Sequence, residues 1–322
     1  MRLSIHTGVA AAALIAFGAG TAHAQFITSI TRPTFSLGPT QVYNVNTQTG
    51  VSSEIFDPRF SNPVVPASAP GFTGLAADEA GQRLFAITTN GTKSDLYSLD
   101  YATRTPTLLA SLTRPSSTTG IVFDGLAYDT RRNVLYGTRV IGGSTGNEGL
   151  FTIDIATGAT TLAFEYEPTS TSIFQIGGLD YDPTTDRIYL SDDDDTGGRN
   201  IFSMDPTSLS SGLSLVTAYP AGVTDIDGIG AGGGKLYLLS DSQDSASTAT
   251  IEGNSGLHRV FNILTGQFEA SIASPYPART TTNAGLGLID PTGGGAYAPG
   301  IPAPASALAL GLGAIAGRRR RR

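Results

Sequence analysis

The chain has 322 residues, of which 40 are Gly and 18 are Pro, and it contains neither Cys nor Trp. A hydrophobic fraction of 40% is enough for a sizeable core and excludes wholesale disorder. The lack of Cys excludes disulfides, thiolate metal ligands and cysteine nucleophiles. The formal net charge of -7 argues against a general nucleic-acid binder, so we expect no nucleic-acid partner.

The segment 1–24 has the pattern of a secretory signal peptide. Arg2 supplies a positive start, positions 9–20 form an apolar, Ala-rich stretch, and Ala22 and Ala24 place small side chains at a cleavage site. The alternative is a buried N-terminal helix. We therefore predict that the segment 1–24 is removed during export.

The segment 300–322 has a three-part pattern. A Pro-containing motif is followed by an apolar stretch at 305–317 and a basic end; its named residues are Pro302, Pro304, Arg318, Arg319, Arg320, Arg321 and Arg322. This pattern resembles the PEP-CTERM sorting signal, which exosortases recognise in Gram-negative and related bacteria. Ala303 stands where that family usually has Glu, and the apolar stretch is short against the roughly 20 residues that span a bilayer. The alternative is a disordered basic tail.

The resemblance implies a processing route and a location. The partner would be an exosortase-type enzyme, and the tail would anchor the chain in the membrane transiently, with its arginines on the cytoplasmic side. After removal of the tail, the protein would lie at the cell surface or outside the cell. The association of this family with exopolysaccharide implies a glycan-rich setting, in which a polysaccharide or a surface protein would be a partner.

Removing both ends changes the charge of what remains. Residues 25–317 hold 14 basic against 27 acidic residues, a formal charge of -13, and His258 is their one histidine. A Ser–His–Asp triad would have to use His258, and no G-x-S-x-G motif accompanies it.

A repeat of about fifty residues runs through this body. Each copy opens with Gly-Leu-Ala-x-Asp or a variant of it, and the copies begin at Gly74, Gly125, Gly178, Gly228 and Gly285. An apolar–aromatic pair follows, and then an alternating segment that ends at Asp100, Asp154 or Asp205 in three of the copies. Four short strands per copy predict an antiparallel meander. Such sheets bury both faces when they are arranged radially, as in a β-propeller.

The two ends of the repeat region predict how the ring closes. The last copy contains only two strand-like segments, of which the second includes Tyr297, and counterparts of the missing strands lie at 42–46 and 51–55. We therefore predict an all-β, five-bladed β-propeller of four-stranded blades over residues 39–299, with the last blade closed by the N-terminal strands. Residues 25–38 would be an N-terminal extension. The alternative fold is a two-sheet sandwich, which leaves the fifty-residue period unexplained.

The meander places two kinds of connection on opposite faces. Long, dissimilar loops at Arg139–Gly149, Ser191–Asn200 and Ser240–Gly256 share one face, which we call the long-loop face. Short, similar turns share the other, the short-turn face. Because variable loops on a repeated scaffold commonly carry binding sites, we expect binding on the long-loop face. The alternative is that these loops are only solvated.

Four adjacent carboxylates on the long-loop face form a candidate metal site. They are Asp192, Asp193, Asp194 and Asp195. Carboxylates this close repel one another unless a cation or water offsets them, and oxygen-rich loops suit calcium, which is therefore the candidate cofactor. The spacing does not match an EF-hand loop, so the alternative is a solvated acidic loop.

A second carboxylate set lies beside the opening Gly of two copies. Asp124, Asp225 and Asp227 are predicted at the mouth of the central channel, where they could hold a metal or act as acid and base in sugar hydrolysis. Some related propellers are glycosidases or metal-dependent esterases, which is an analogy at the level of the fold. The alternative is that these side chains bond to backbone N–H groups and lock adjacent blades.

These observations favour a non-catalytic role. We expect an exported binding module that takes a glycan, a cation or a protein through its long-loop face. The competing hypothesis is a hydrolase of a sugar or an ester that uses Asp124, Asp225 and Asp227. Neither hypothesis identifies a substrate.

Overall fold

The computed structural model describes most of the body of the chain. The described residues are 25–33, 42–56, 72–89, 92–139, 148–166, 176–193, 198–221, 223, 226, 228–239, 257–273 and 289–299. Both predicted processing signals lie outside these ranges, as do Asp194, Asp195, Asp225 and Asp227.

The described residues form β-strands joined by turns, with one short 3₁₀ turn at Leu209–Ser211. In chain order the strands are β1 Gln25–Pro33, β2 Val42–Asn46, β3 Ser52–Phe56, β4 Phe72–Asp78, β5 Arg83–Thr89, β6 Ser94–Asp100, β7 Pro106–Ser111, β8 Gly125–Asp129, β9 Val134–Arg139, β10 Gly149–Ile153, β11 Thr160–Glu165, β12 Ile176–Asp182, β13 Arg187–Asp192, β14 Asn200–Met204, β15 Ser214–Ala218, β16 Gly228–Gly232, β17 Lys235–Leu239, β18 Leu257–Asn262, β19 Gln267–Phe268, β20 Ile272–Ala273 and β21 Ile289–Pro299. No helix within the described ranges has the length and apolar character needed to cross a membrane.

The strands form antiparallel sheets that stand in a ring, which is a β-propeller arrangement. Four consecutive strands make each of the sheets β4–β7, β8–β11 and β12–β15, and the sheet β16–β19 has β20 as an additional partner of β18. A further sheet has the order β21-β1-β2-β3. The innermost strands β4, β8, β12, β16 and β21 pack side by side around the axis.

The alternating pattern of the strands explains why the sheets pack face to face. In β5, Leu84 and Ala86 point to a cluster shared with the sheet that holds Ala296, whereas Phe85 and Ile87 point to a cluster shared with the next sheet. All four side chains are buried. A strand whose two faces are both apolar needs a neighbour on each side, and a closed ring of sheets supplies both.

Crowding of the innermost strands explains the opening Gly of two of the repeat copies, Gly125 and Gly178. A Cβ on Gly125 would lie 2.9 Å from the carbonyl oxygen of Gly177 on the next inner strand. A Cβ on Gly178 would lie 2.9 Å from the backbone nitrogen of Ile229, again on the next strand. Only a residue without a side chain permits this approach.

Strands from the two ends of the described chain share one sheet. β1 pairs with β21 from Gln25 opposite Pro299 onward, and its other edge pairs with β2. Residues 25–33 are therefore a propeller strand, so their assignment to an extension before residue 39 was wrong. The segment around Tyr297 is the innermost strand rather than the second one. The Gly residues before Tyr297 are typical of a turn, which explains the error. In the structure, Gly295 belongs to β21 and packs against Leu239 and Ile229 near the axis.

The repeated acidic residues at the strand ends cap the turns that follow. Asp129 accepts hydrogen bonds from the backbone N–H groups of Arg131 and Arg132, at 2.9 Å each. Asp154 does the same for Ala156 and Thr157, at 2.9 and 3.0 Å. Asp and Asn side chains favour such turns because they satisfy backbone donors two and three residues on. These repeated carboxylates are thus structural.

One arginine ties the turns of two neighbouring sheets together. The guanidinium of Arg132 donates to Asp129 at 2.7 Å and to both carboxylate oxygens of Asp186, at 2.7 and 2.8 Å. The hydroxyl of Tyr181 also donates to Asp186, at 2.8 Å. The hydrogen bonds from Arg132 and Tyr181 hold the pKa of Asp186 well below its usual range. This network fixes the rim of the short-turn face beside the axis.

Candidate functional site

A cavity of about 190 Å³ opens on the short-turn face, at the axis of the ring. We call it the central pocket. Three turns that follow inner strands contribute to its wall, and so do the inner strands themselves; its lining residues are Ala77, Glu79, Ala80, Tyr128, Thr130, Asp180, Tyr181, Pro183 and Tyr297. Residues that are far apart in sequence therefore meet in one concave site.

Asp180 is the most buried carboxyl group of the central pocket, with 4% of its surface exposed. Its Oδ2 atom accepts hydrogen bonds from the backbone N–H of Ala231, at 2.7 Å, and of Tyr297, at 2.9 Å. It thus links three inner strands, β12, β16 and β21. Burial raises the pKa of Asp180 well above its ordinary value, and the backbone hydrogen bonds offset that effect only in part.

Glu79 is the second acidic group of the pocket and lies in the turn after β4. Its side chain is half-buried, and burial raises its pKa from 4.5 to about 7. Within the described part of the chain its carboxylate forms neither a hydrogen bond nor an ion pair. The hydrogen bonds that Glu79 accepts from Gln82 are made by its backbone oxygen. The group therefore changes charge near neutral pH and is available to a ligand.

Three tyrosines supply the aromatic part of the wall, and they differ in how their hydroxyls are satisfied. The hydroxyl of Tyr128 donates to Asn133, and that of Tyr181 donates to Asp186. The hydroxyl of Tyr297 is buried and has no hydrogen-bond partner in the described structure. The Tyr297 ring stacks on Tyr237 with centroids 5.8 Å apart and an interplanar angle of 7°. Burial raises the pKa of Tyr297, and the nearby charge of Glu79 adds to that effect.

The central pocket was missed by sequence reasoning, although one signal for it was available. Asp180 occupies the third position of the repeat opening, where two other copies have Ala76 and Ala127. A carboxyl at a position that is otherwise small and apolar departs from the structural pattern, and such departures mark sites. The position of Glu79 carried no comparable signal.

The long-loop face, where we expected binding, is described only in part. The carboxylate of Asp193 accepts hydrogen bonds from the hydroxyl of Tyr219, at 2.7 Å, and from the backbone N–H of Ile226, at 2.9 Å. Asp192 is fully buried at the end of β13. Within the described ranges no group of three or more His, Cys, Asp or Glu side chains is placed to hold a metal ion. Asp194 and Asp195 are outside these ranges, so a calcium site there stays a prediction.

Asp124 also lies on the long-loop face, at the start of β8 and away from the central pocket. Its backbone N–H donates to the carbonyl of Thr138 at 3.0 Å. Its charge acts on the buried Arg139: burial lowers the pKa of Arg139, and Asp124 and Glu148 oppose that effect. Its expected neighbours Asp225 and Asp227 lie outside the described residues, so the carboxylate set at this mouth stays a prediction.

His258 is fully buried in β18, and burial lowers its pKa to about 4. Neither of its ring nitrogens has a hydrogen-bond partner in the described structure. In the described structure His258 packs as a core residue of β18.

The chain is similar to several solved structures at low sequence identity. No family model matches the chain, and no curated protein matches it. Among solved structures, the chain is similar to one in a nidogen/laminin complex, with 10% identity over 85% of this chain and 98% of that one, and a TM-score of 0.47. It is also similar to TolB from Acinetobacter baumannii, with 13% identity over 87% of this chain and 68% of that one, and a TM-score of 0.45.

Proposed function

We propose that this protein is an exported, non-catalytic binding module whose ligand occupies the central pocket. The observation that supports the proposal is the meeting of Glu79, Asp180 and Tyr297 in a cavity at the axis. Among the described residues the Glu79 carboxylate has no protein partner, and it lies beside apolar and aromatic walls. This combination is typical of sites for small ligands. The binding site thus lies on the short-turn face.

The blade number belongs to the same proposal. We infer five blades, because the strand orders give five sheets in the described residues and because apolar clusters join each sheet to the next. A small ring of sheets leaves a narrow channel at the axis, and side chains such as Asp180 fill it in part. The central pocket is the part of this channel that remains open on the short-turn face.

Filling the pocket is expected to abolish ligand binding. Ala80 lines the pocket and is exposed, so an Ala80→Trp substitution adds a large ring there without disturbing the core. Ligand-detected NMR with a set of neutral saccharides, amines and carboxylates measures binding to the purified protein. We expect affinities for Ala80→Trp at least about tenfold below those of the wild-type protein.

Ala156→Trp is the matched control, because Ala156 is exposed in another turn of the same face and lies outside the pocket. It should bind every ligand as the wild-type protein does. Equal binding to Ala80→Trp and to the wild-type protein, or no binding at millimolar concentration, would count against the central pocket.

Export is the second part of the proposal and is supported by the two patterned ends of the sequence. The cell-surface or extracellular protein is expected to begin at Gln25 and to lack Arg318–Arg322. Mass spectrometry of the intact protein recovered from the cell surface and from the medium measures both ends. Recovery of the chain only inside the cell, with Met1 and the five arginines in place, would contradict this part.

Hydrolysis of a sugar or an ester is a second candidate, and one observation favours it in the central pocket. A carboxyl group with a pKa of about 7, as for Glu79, is in the range where general acids work at neutral pH. Turnover of glycoside or ester substrates that is lost in Glu79→Gln would support this candidate. If turnover is lost in Asp124→Asn instead, the active site lies on the long-loop face.

A further inference from the structure

The lining of the central pocket is acidic and aromatic and contains no basic side chain. Its carboxyl groups are those of Glu79 and Asp180, and its aromatic rings are those of Tyr128, Tyr181 and Tyr297. An anionic ligand would meet two carboxyl groups and no cation on this wall, so a phosphate or a carboxylate does not fit. A positively charged ligand would meet the Glu79 carboxylate and the tyrosine rings, which both attract cations.

Tyr297 contributes to the wall of the pocket through atoms other than its hydroxyl oxygen. Tyr297 is 7% exposed, and its hydroxyl has no hydrogen-bond partner in the described structure. The oxygen itself is fully buried, so Tyr297 offers a ligand in the central pocket aromatic contact rather than a hydrogen bond.

We propose that the central pocket binds a small organic ammonium group, such as the one carried by an amino sugar or an alkylamine. This inference rests on the proposed binding function and names its ligand class. The ammonium would lie beside the Glu79 carboxylate and against the tyrosine rings, and a hydroxyl group on the same ligand would reach Thr130. The surplus of acidic residues in the body, 27 against 14 basic ones, also attracts a cation.

The charge of Glu79 makes this binding depend on pH. The titratable and charged groups that act on or near Glu79 are Asp78, Arg83, Tyr101, Tyr128, Asp180 and Tyr297. Arg83 is engaged by Asp78 at 2.9 Å, so it does not neutralise Glu79. The pKa of Glu79 is about 7, and a cation favours the ionised carboxylate. Affinity for a cation should therefore rise as the pH increases through 7, with release of a proton.

Choline provides a direct test, because its charge does not change with pH. Its neutral isostere 3,3-dimethylbutan-1-ol has the same shape without the charge. Isothermal titration calorimetry of the purified protein at about pH 6 and about pH 8 is expected to show choline binding about tenfold more tightly at the higher pH. At about pH 8 the isostere should bind at least about tenfold more weakly than choline.

Two variants locate the effect. Glu79→Gln is expected to remove the pH dependence and to weaken choline binding about tenfold at about pH 8. Glu165→Gln is the matched control, since Glu165 lies on the outer strand β11 and outside the pocket, and it should bind choline as the wild-type protein does. Circular dichroism of both variants checks that they are folded.

The outcomes separate this inference from the proposed function. If the isostere binds as tightly as choline, and Ala80→Trp abolishes both, the pocket is a binding site but the ammonium inference is overturned. Glucosamine and glucose are measured in the same way as choline. If carboxylates or neutral saccharides bind more tightly than choline and glucosamine do, the ammonium inference is also overturned. If glucosamine binds more tightly than both choline and glucose, the ammonium group is that of an amino sugar. No binding of choline or glucosamine at millimolar concentration overturns the inference, and the ligand set used with Ala80→Trp then decides whether the pocket binds anything.

Discussion

Replacing Asp180 with alanine is expected to lower the free energy of unfolding by about 2–4 kcal/mol relative to replacing it with asparagine. The alanine variant leaves the N–H groups of Ala231 and Tyr297 buried without an acceptor, whereas asparagine keeps an amide oxygen at the place of Oδ2. Urea denaturation of the two purified variants measures the difference. Equal stability of the two variants would show that these hydrogen bonds do not hold the inner strands together.

The asparagine variant is also expected to become more stable, relative to the wild-type protein, as the pH rises. Burial raises the pKa of Asp180 above its ordinary value of 3.8, so the native state holds its proton more tightly than the unfolded state does. The stability that Asp180 contributes is therefore complete below pH 3.8 and is lost as the pH rises through its folded pKa. Asparagine does not titrate. The same denaturation experiment at about pH 5 and about pH 8 should show a growing advantage for the asparagine variant, and a constant difference would refute the raised pKa.

A buried carboxyl whose stabilising effect is lost as the pH rises is unexpected in a purely structural position. Ala76 and Ala127 show that the repeat accepts a small apolar side chain there. Proteins commonly give up stability at binding sites, where groups must stay partly unsatisfied until the ligand arrives. We therefore expect Asp180→Asn to weaken binding of a cation, and also to stabilise the fold, at a pH above the raised pKa of Asp180, where its carboxyl is ionised. These two opposite changes are what a binding role predicts.

Replacing Gly232 with alanine is expected to destabilise the protein by about 3 kcal/mol or more. A Cβ at this position would lie 1.8 Å from the Cδ1 atom of Tyr297 and 2.3 Å from two further ring atoms. The ring is buried and stacked on Tyr237, so moving it away from the new Cβ breaks that packing. Thermal and urea denaturation of the purified variant measure the loss, and ligand binding in the central pocket should be lost with it.

Two comparisons show whether the ring is the cause. At Gly266 a Cβ would meet no atom within 4 Å, but the φ angle is +68°, so Gly266→Ala should cost only the backbone strain of about 1–2 kcal/mol. Adding Tyr297→Ala to Gly232→Ala should recover part of the lost stability, because it removes the atoms in conflict. If the double variant is as unstable as the sum of the two single changes, the steric explanation fails.

Much of the fold could be predicted from local patterns, and the errors have physical causes. The opening Gly and the Asp at each strand end recur because each inner strand is crowded and each turn needs its backbone donors capped, as for Gly125 and Asp154. These demands are local, so they leave a mark in several copies. Gln25–Pro33 has no such mark, because its place in the ring depends on pairing with β21, which is distant in sequence.

The all-β class, the repeat period, the turn positions and the surplus of acidic charge were determined by the sequence itself, since each depends on residue types and short-range spacing. Only the tertiary structure decided which ends of the chain share a sheet and which carboxyl groups meet at the axis. Glu79, Asp180 and Tyr297 come from three different sheets, and their burial exists only when the ring is closed. The pKa of Glu79 and the unpaired hydroxyl of Tyr297 follow from that burial and from nothing in their neighbouring residues.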